Sequence, residues 1–529
     1  MNPRPGLLAQ LSSYRLLAGS ASLLLITVAS PAALFKKSNA GFTSSYQSGN
    51  IAAALAAVDK EATSNATSKD AILWRLEQGT ILRTAALTEP GAVPAIGDPA
   101  GPAPDASGAP AAPVAPTTPA DVANSYLKRS LQAYDQAEEK VNSYEEQSKV
   151  KVASEVGATL TNLSTLPYRG HAYDKVLMNA FKALNYMQLG QRDNARVELN
   201  RALQRQKDAV AENEKRIAEA QETAKKAKNG EVQDENGKSA AYDTDKATSD
   251  PKTGPALNAV LAESTANMVS YGDYVNPFAV FLDALFFTVH GEGGSDLERG
   301  RKSMERVALM VPDNPYVKED LALASAAAEG KAPEGVTYVI FETGTGPDRD
   351  EKRIDIPTFL VSNKVPYVQA AFPKLKFNPS YVGALSVKAG DRSLSTAILA
   401  SIDSVVANDF KNEWPAVVTK TMVSTATKAI VQATAQKSAD RMGLMAGLAS
   451  KALLTGLNQA TTHADTRVWT SIPKEFQYAR LSTPADRQLT LATGNDSRTV
   501  TLVAGAVNIV YVKSISPTAA LLVSQFALK

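Results

Sequence analysis

At Gly335 the apolar residues change period, and with it the structure they can build. Upstream they recur at helical spacing: Ile51, Ala54, Leu55 and Val58 make one stripe, and Ile72, Leu73, Leu76 and Leu82 another. Downstream, Val336, Tyr338, Ile340 and Phe341 open a run of short apolar stretches bounded by turn residues, which read as strands. The same reading covers Arg353–Pro357, Tyr367–Phe372, Tyr381–Val387, Phe476–Leu481, Gln488–Ala492, Arg498–Leu502 and Val507–Ser514. Helices first and strands after make an α+β protein. The expected architecture is a set of irregular tetratricopeptide-like helical repeats followed by an antiparallel β-sandwich-like domain with a helical insertion. With 529 residues, two or three domains are expected.

The helical half carries a more specific pattern. From Ala183 to Ala202 the chain reads ALNYMQLGQRDNARVELNRA. Ala183, Ala195 and Ala202 are small where paired helices would cross, Tyr186 and Leu199 fill the gaps beside them, and Gly190 permits the turn between. Two weaker copies keep parts of this spacing, one at Gly49, Ala54 and Val58, the other at Gly300, Met304, Val307 and Pro312.

Along the chain this gives a first helical hairpin at 41–87, a Pro/Ala/Gly-rich linker at 88–120, and a repeat domain at 121–328 interrupted by a polar insert at 229–254. The β domain takes 335–393 and 465–529, around a helical insertion at 394–464. The linker and the polar insert hold too little apolar surface to offset chain entropy, so both are expected without fixed structure. Extended, the linker would reach on the order of 100 Å. The stretch from Ala211 to Lys228 interleaves Glu, Lys and Arg and is expected to project as a solvated helix.

The N-terminus has the parts of an export signal, expected over 1–33 as a signal peptide or an anchor. Arg4 and Arg15 flank an apolar run, Leu16–Ser30, that is short for a membrane span and ends at Pro31. Small residues suited to cleavage follow at Ser30 and Ala32 and again at Ser38 and Ala40. The chain has no cysteine, so it holds no disulfide, thiolate metal site or cysteine-linked lipid. A net charge of +2 argues against a nucleic-acid partner, because polyanion binders concentrate basic charge.

Catalytic signals are weak. His171, His290 and His463 stand far apart and belong to no metal-ligand spacing, so no metal or cofactor is expected. Gly344 and Gly346 in GTGP superficially resemble a phosphate loop, but Pro347 follows at once and a turn is the better reading. Glu342, just before them, is the acid whose burial most needs checking. Asp465 and Arg467 are expected to pin the helical insertion to the β domain. Within the insertion, Gly443 and Gly447 share the spacing of close-packed helices, and a packed helical hairpin is favoured over peripheral membrane contact.

Several stretches together resemble a family of large, uncharacterised, tetratricopeptide-containing bacterial envelope proteins. They are Tyr173–Ala202, YVNPFAVFLDALFF (Tyr274–Phe287), VIFETGTGP (Val339–Pro347), RIDIP (Arg353–Pro357), VPYVQAAFP (Val365–Pro373) and ADTRVWTSIP (Ala464–Pro473). The resemblance marks Glu342, Gly344, Pro347, Pro357, Pro373, Asp465, Arg467, Trp469 and Pro473 as motif residues. It implies an envelope location but no activity, cofactor or catalytic residue. Members are typically lipoproteins, and this chain departs from them in lacking the cysteine. The expected function is a periplasmic adaptor or scaffold binding an envelope protein or peptide, with a link to cell-wall assembly. A structural part of an envelope complex and a carboxylate-based hydrolase are the alternatives.

Overall fold

A computed structural model describes residues 31–98, 118–150, 166–233, 239–358, 367–440, 463–494 and 496–529. The apolar run Leu16–Ser30, residues 99–117 of the linker, Gly443, Gly447 and Asn495 lie outside the described residues.

The chain is α+β, with twelve helices and three sheets among the described residues. The helices α1 (Pro31–Gln47), α2 (Ile51–Ser64), α3 (Ala71–Ala85), α4 (Pro119–Val150), α5 (Ala172–Gln188) and α6 (Arg192–Lys228) come first. Then follow α7 (Thr244–Thr248), α8 (Thr253–Thr265), α9 (Pro277–His290), α10 (Gly294–Met310) and α11 (Val317–Ala328). Local chemistry sets the ends. Asn50 and Asn276 accept the first free amides of α2 and α9, and Pro277 takes the first position of α9, where no amide is needed. At Gly190, φ is +72°, and the amides of Gly190 and Gln191 close on the carbonyls of Met187 and Tyr186, ending α5 in a left-handed cap.

The strands are β1 (Val336–Thr343), β2 (Asp348–Pro357), β3 (Tyr367–Lys376), β4 (Ser386–Ala389), β5 (Arg392–Ser395) and β6 (Ala397–Ser401). After α12 (Ile402–Asp440) come β7 (Glu475–Ser482), β8 (Gln488–Ala492), β9 (Ser497–Thr501), β10 (Val507–Ser514) and β11 (Leu522–Ala527). Five strands form the main sheet in the order β11-β10-β1-β7-β6; β2 and β3 pair as a hairpin, and β5-β4-β8-β9 make a third sheet. An antiparallel arrangement was expected throughout, yet the central pair β1–β10 is parallel, Val336 beside Val507 through Thr343 beside Ser514. Local turns cannot bring those strands together, because they lie at opposite ends of the strand-bearing half.

Helices cover one face of the main sheet. Phe278 of α9 stacks on Phe476 of β7 at 3.6 Å, and Phe281 meets Tyr478 at 4.8 Å. The hydroxyls of Tyr338 and Tyr478 both donate to Asp320 of α11, at 2.8 Å each. On the opposite face, Gln477 donates to the Gly383 carbonyl and accepts from Thr396, tying the third sheet to the first.

Four further expectations are corrected. The helical insertion begins at Ile402, because Ala397–Ser401 pairs with β7 as the edge strand of the main sheet. The polar insert at 229–254 has fixed structure in its described part: it contains α7, and Val232 and Tyr242 are buried. The second half of α6 does not project into solvent. Its Ala220 and Ala227 are buried, and Ala227 clusters with Val232 and with Val423 of α12. The first residues of the linker also dock, with Val93 buried and the Tyr126 hydroxyl of α4 bonded to the Pro94 carbonyl.

Two glycines test the packing of the hairpins. A Cβ on Gly300 would lie 2.7 Å from the Thr288 amide nitrogen, so α9 and α10 would have to separate, whereas a Cβ on Gly190 would meet nothing within 4 Å. Gly300→Ala should cost about 1–3 kcal/mol by overpacking and Gly190→Ala about 1 kcal/mol through backbone conformation alone. Denaturant unfolding of the two variants checks the order.

Candidate functional site

The inner surface of the helical half is the place where the repeat pattern puts a binding groove. The hairpin α5–α6 closes as its small residues require. Ala183, Ala195, Leu199 and Ala202 are all buried and Tyr186 is half-buried beside them. The hairpin α3–α4 closes in a way that the sequence reading missed. A Cβ on Gly79 would sit 2.4 Å from the ring of Tyr134, so only glycine lets that ring lie on α3. The signal for it was a glycine in the middle of an apolar helix.

The space between these helices is filled by the chain itself. Between α12 and β7, the stretch Ala464–Pro473 runs without helix or strand past α1, α3, α4 and α5. Trp469 is fully buried in it, edge-on to Tyr134 of α4 at 6.1 Å and to Phe181 of α5 at 6.0 Å. Its indole N–H is shared by the hydroxyls of Thr80 and Ser471. The amide of Asn39 in α1 donates to Thr470, and the hydroxyl of Tyr46 to the Ser471 carbonyl.

Two charged side chains fix the stretch lengthwise. Arg467, 2% exposed, donates to Asp465 at 2.7 and 2.8 Å, to Asp70 at the head of α3 at 2.8 Å, and to the Leu166 carbonyl at 2.9 Å. The Asp465–Arg467 pair therefore pins this stretch to the helical half, not the insertion to the sheet as expected. Glu77 of α3, wholly buried, accepts the amide and hydroxyl of Thr470, each at 2.6 Å, and those of Ser471 at 3.2 and 2.5 Å. Burial outweighs those four bonds and pushes the Glu77 carboxyl up to about 7. The sequence does carry a trace of it, one acid inside the apolar run Ile72–Leu82.

The remaining motif residues serve the sheet junctions. Glu342 is buried and holds Lys513 at 2.6 Å and the Tyr511 hydroxyl, beneath the Arg83 guanidinium that lies over the Tyr511 ring. Gly344, at φ +69°, turns the chain where a Cβ would strike Tyr381 at 2.7 Å; Gly346 donates to the Ile472 carbonyl, and Pro347 is buried before β2. That loop is a packed turn. Pro357 and Pro473 are buried at chain junctions, and Pro373 is buried within β3 opposite Glu351.

The three histidines do not meet. His463 lies 3.2 Å from Glu351, and His171 lies 3.2 Å from Glu413 of α12. His290 lines a cleft of about 250 Å³ with Arg192, Asp193, Arg196, Phe286 and Lys529 among its walls. Burial and the nearby Arg192 and Lys529 charges lower its imidazole to about 4. Among the described residues no group of three or more His, Cys, Asp or Glu is placed to hold a metal ion. No protein-family model, no curated protein and no solved structure matches this chain.

The raised carboxyls set a pH dependence. Glu77 near 7, and Asp320 and Asp403 each near 6, bind protons more tightly in the folded chain than in the unfolded one. Their contribution is complete below the ordinary carboxyl range and is lost as pH rises through those values. The stability these three groups supply should therefore fall between about pH 4 and pH 7, with Glu77 alone accounting for roughly 3 kcal/mol, while His290, lowered to about 4, contributes a rise that ends near its ordinary value. Glu77→Gln should flatten that slope while lowering stability at every pH, since its amide would face the Ser471 amide. Urea titrations across the range check both outcomes.

Proposed function

We propose that the protein is an exported cell-envelope adaptor that binds a protein or peptide partner through paired helices and performs no covalent chemistry. The observation that carries this reading is the Ala464–Pro473 stretch. Four helices hold a length of irregular backbone by aromatic packing around Trp469 and by side-chain bonds to its backbone. Helical hairpins that grip one extended segment in this way have the chemistry to grip another. In this reading α1–α2, α5–α6 and α9–α10 are irregular tetratricopeptide-like repeats and the strand region is their sandwich-like support. Because the inner groove is occupied, the partner meets the outer helical faces, where Lys207 and Lys215 of α6 are exposed.

The export signature supports the location. Phe35 packs on Trp74 at 4.9 Å, so cleavage near Ala32 preserves a core contact that cleavage near Ala40 would remove. Among the described residues no helix is long and apolar enough to cross a membrane. The filled groove favours one second reading, a rigid structural part of an envelope complex.

Crosslinking of intact cells followed by mass spectrometry of envelope fractions separates the two. An adaptor should give crosslinks from Lys207 or Lys215 to one discrete foreign protein. Crosslinks only between copies of this chain would favour the structural part, and full-length protein retained in the cytoplasm would overturn both.

A further inference from the structure

Where the start of α12 meets α5, β2 and α6, the protein buries more acid than base. Asp409 and Glu413, one turn apart on α12, and Asp174, in the first turn of α5, are all buried. Glu413 engages Arg216 of α6 at 3.1 Å, the His171 imidazole at 3.2 Å and Arg349 of β2 at 3.7 Å. One oxygen of Asp174 accepts the His171 amide at 2.8 Å and the Tyr168 hydroxyl. Among the described residues, Asp409 receives only the Tyr173 amide, at 3.0 Å on Oδ2.

Five polar atoms around Asp409 are buried without a hydrogen-bond partner among the described residues: its own Oδ1, Asp174 Oδ1, Arg349 Nε and the hydroxyls of Tyr173 and Tyr274. Tyr274 comes from the loop before α9 and is held at φ +59°, a conformation that costs a non-glycine residue free energy. The other acid of that loop, Asp273, is tied to Asn412 at 3.0 Å. A charged Asp409 would thus face Asp174 and Glu413, with Arg349, already shared with Glu413, as the cation opposing them. A buried charge so incompletely compensated is strongly unfavourable.

We propose that Asp409 carries a proton in the folded protein and that this proton is a latch, whose loss frees the start of α12 from α5 and β2. Burial, with Glu413 one turn away, holds the Asp409 carboxyl well above its ordinary value. Asp174 shifts the same way, through burial. Glu413, by contrast, is held well below the carboxylate range by His171, Arg216 and Arg349, despite its burial. The sign follows from these directions. The folded state holds the Asp409 proton more tightly than the unfolded chain does, so the latch is shut in acid and opens as pH rises through the folded value.

What the latch holds is considerable. Trp414 of α12 packs on Phe372 of β3 at 6.0 Å, and Val423 packs on the end of α6. Opening would expose apolar surface on both, in a protein read as exported and so subject to the pH of its surroundings. The latch itself does not depend on that reading.

Hydrogen exchange of the full chain, corrected for intrinsic rates and compared at about pH 6 and at the highest pH at which the chain stays folded, tests it. In the wild type, amides at the start of α12 and of α5 should exchange about tenfold faster at the higher pH. In Asp409→Asn, which mimics the protonated acid, they should stay protected at both. Equal protection in the wild type, or the same loss in the variant, overturns the proposal. Should the variant fail to fold, infrared spectra of wild-type protein labelled with ¹³C-aspartate decide. At about pH 8, where Asp320 and Asp403 are ionised, a protonated-aspartate band should remain and should persist in labelled Asp174→Asn, and its absence from either overturns the latch.

Discussion

Insertion of Ala464–Pro473 between the first helices is the contact on which the rest of the structure depends. Trp469 has its ring in the helical half, among Tyr134 and Phe181, while its backbone leads within a few residues into β7, next to the central strand of the main sheet. Helices and sheet therefore share one apolar core, which runs from Phe35 to Leu528. Division into a repeat domain and a β domain describes the order of elements along the chain, but not the packing.

Charge buried at the seams gives that core its specificity. Arg467 with Asp70, Glu77 with Thr470 and Ser471, Glu342 with Lys513, and Glu413 with Arg216 each join elements distant in sequence. Such pairs contribute little net stability, because desolvation offsets most of the attraction, but breaking one leaves an unpaired charge inside. They penalise wrong registers more than they reward the right one. The raised carboxyls of Glu77, Asp320 and Asp403 are the residue of that compromise, since burial there exceeds what the hydrogen bonds return.

Much of the local structure was legible. The period change at Gly335 marks where helices give way to strands, with β1 starting at Val336. The small residues from Ala183 to Ala202 locate a true helical hairpin, because close crossing of helices demands small side chains wherever it occurs. The candidate site was half legible. Trp469 and Arg467 stood out in the sequence, but Glu77, Asp409 and Arg349 did not, since an acid or arginine on a helix or strand usually faces water and only its neighbours show otherwise.

By itself the sequence determined the periods, the caps and the turns, because these depend on residues a few positions apart. Asn276 with Pro277, and Gly190 in its left-handed cap, act within one turn of helix. Tertiary structure alone decided that β1 pairs with β10 in parallel, that α6 packs against α12 and does not stand in solvent, and that Ala464–Pro473 fills the space between the first helices. Those outcomes compare the burial of surfaces hundreds of residues apart, and hydrophobic burial has no direction along the chain from which a partner could be read.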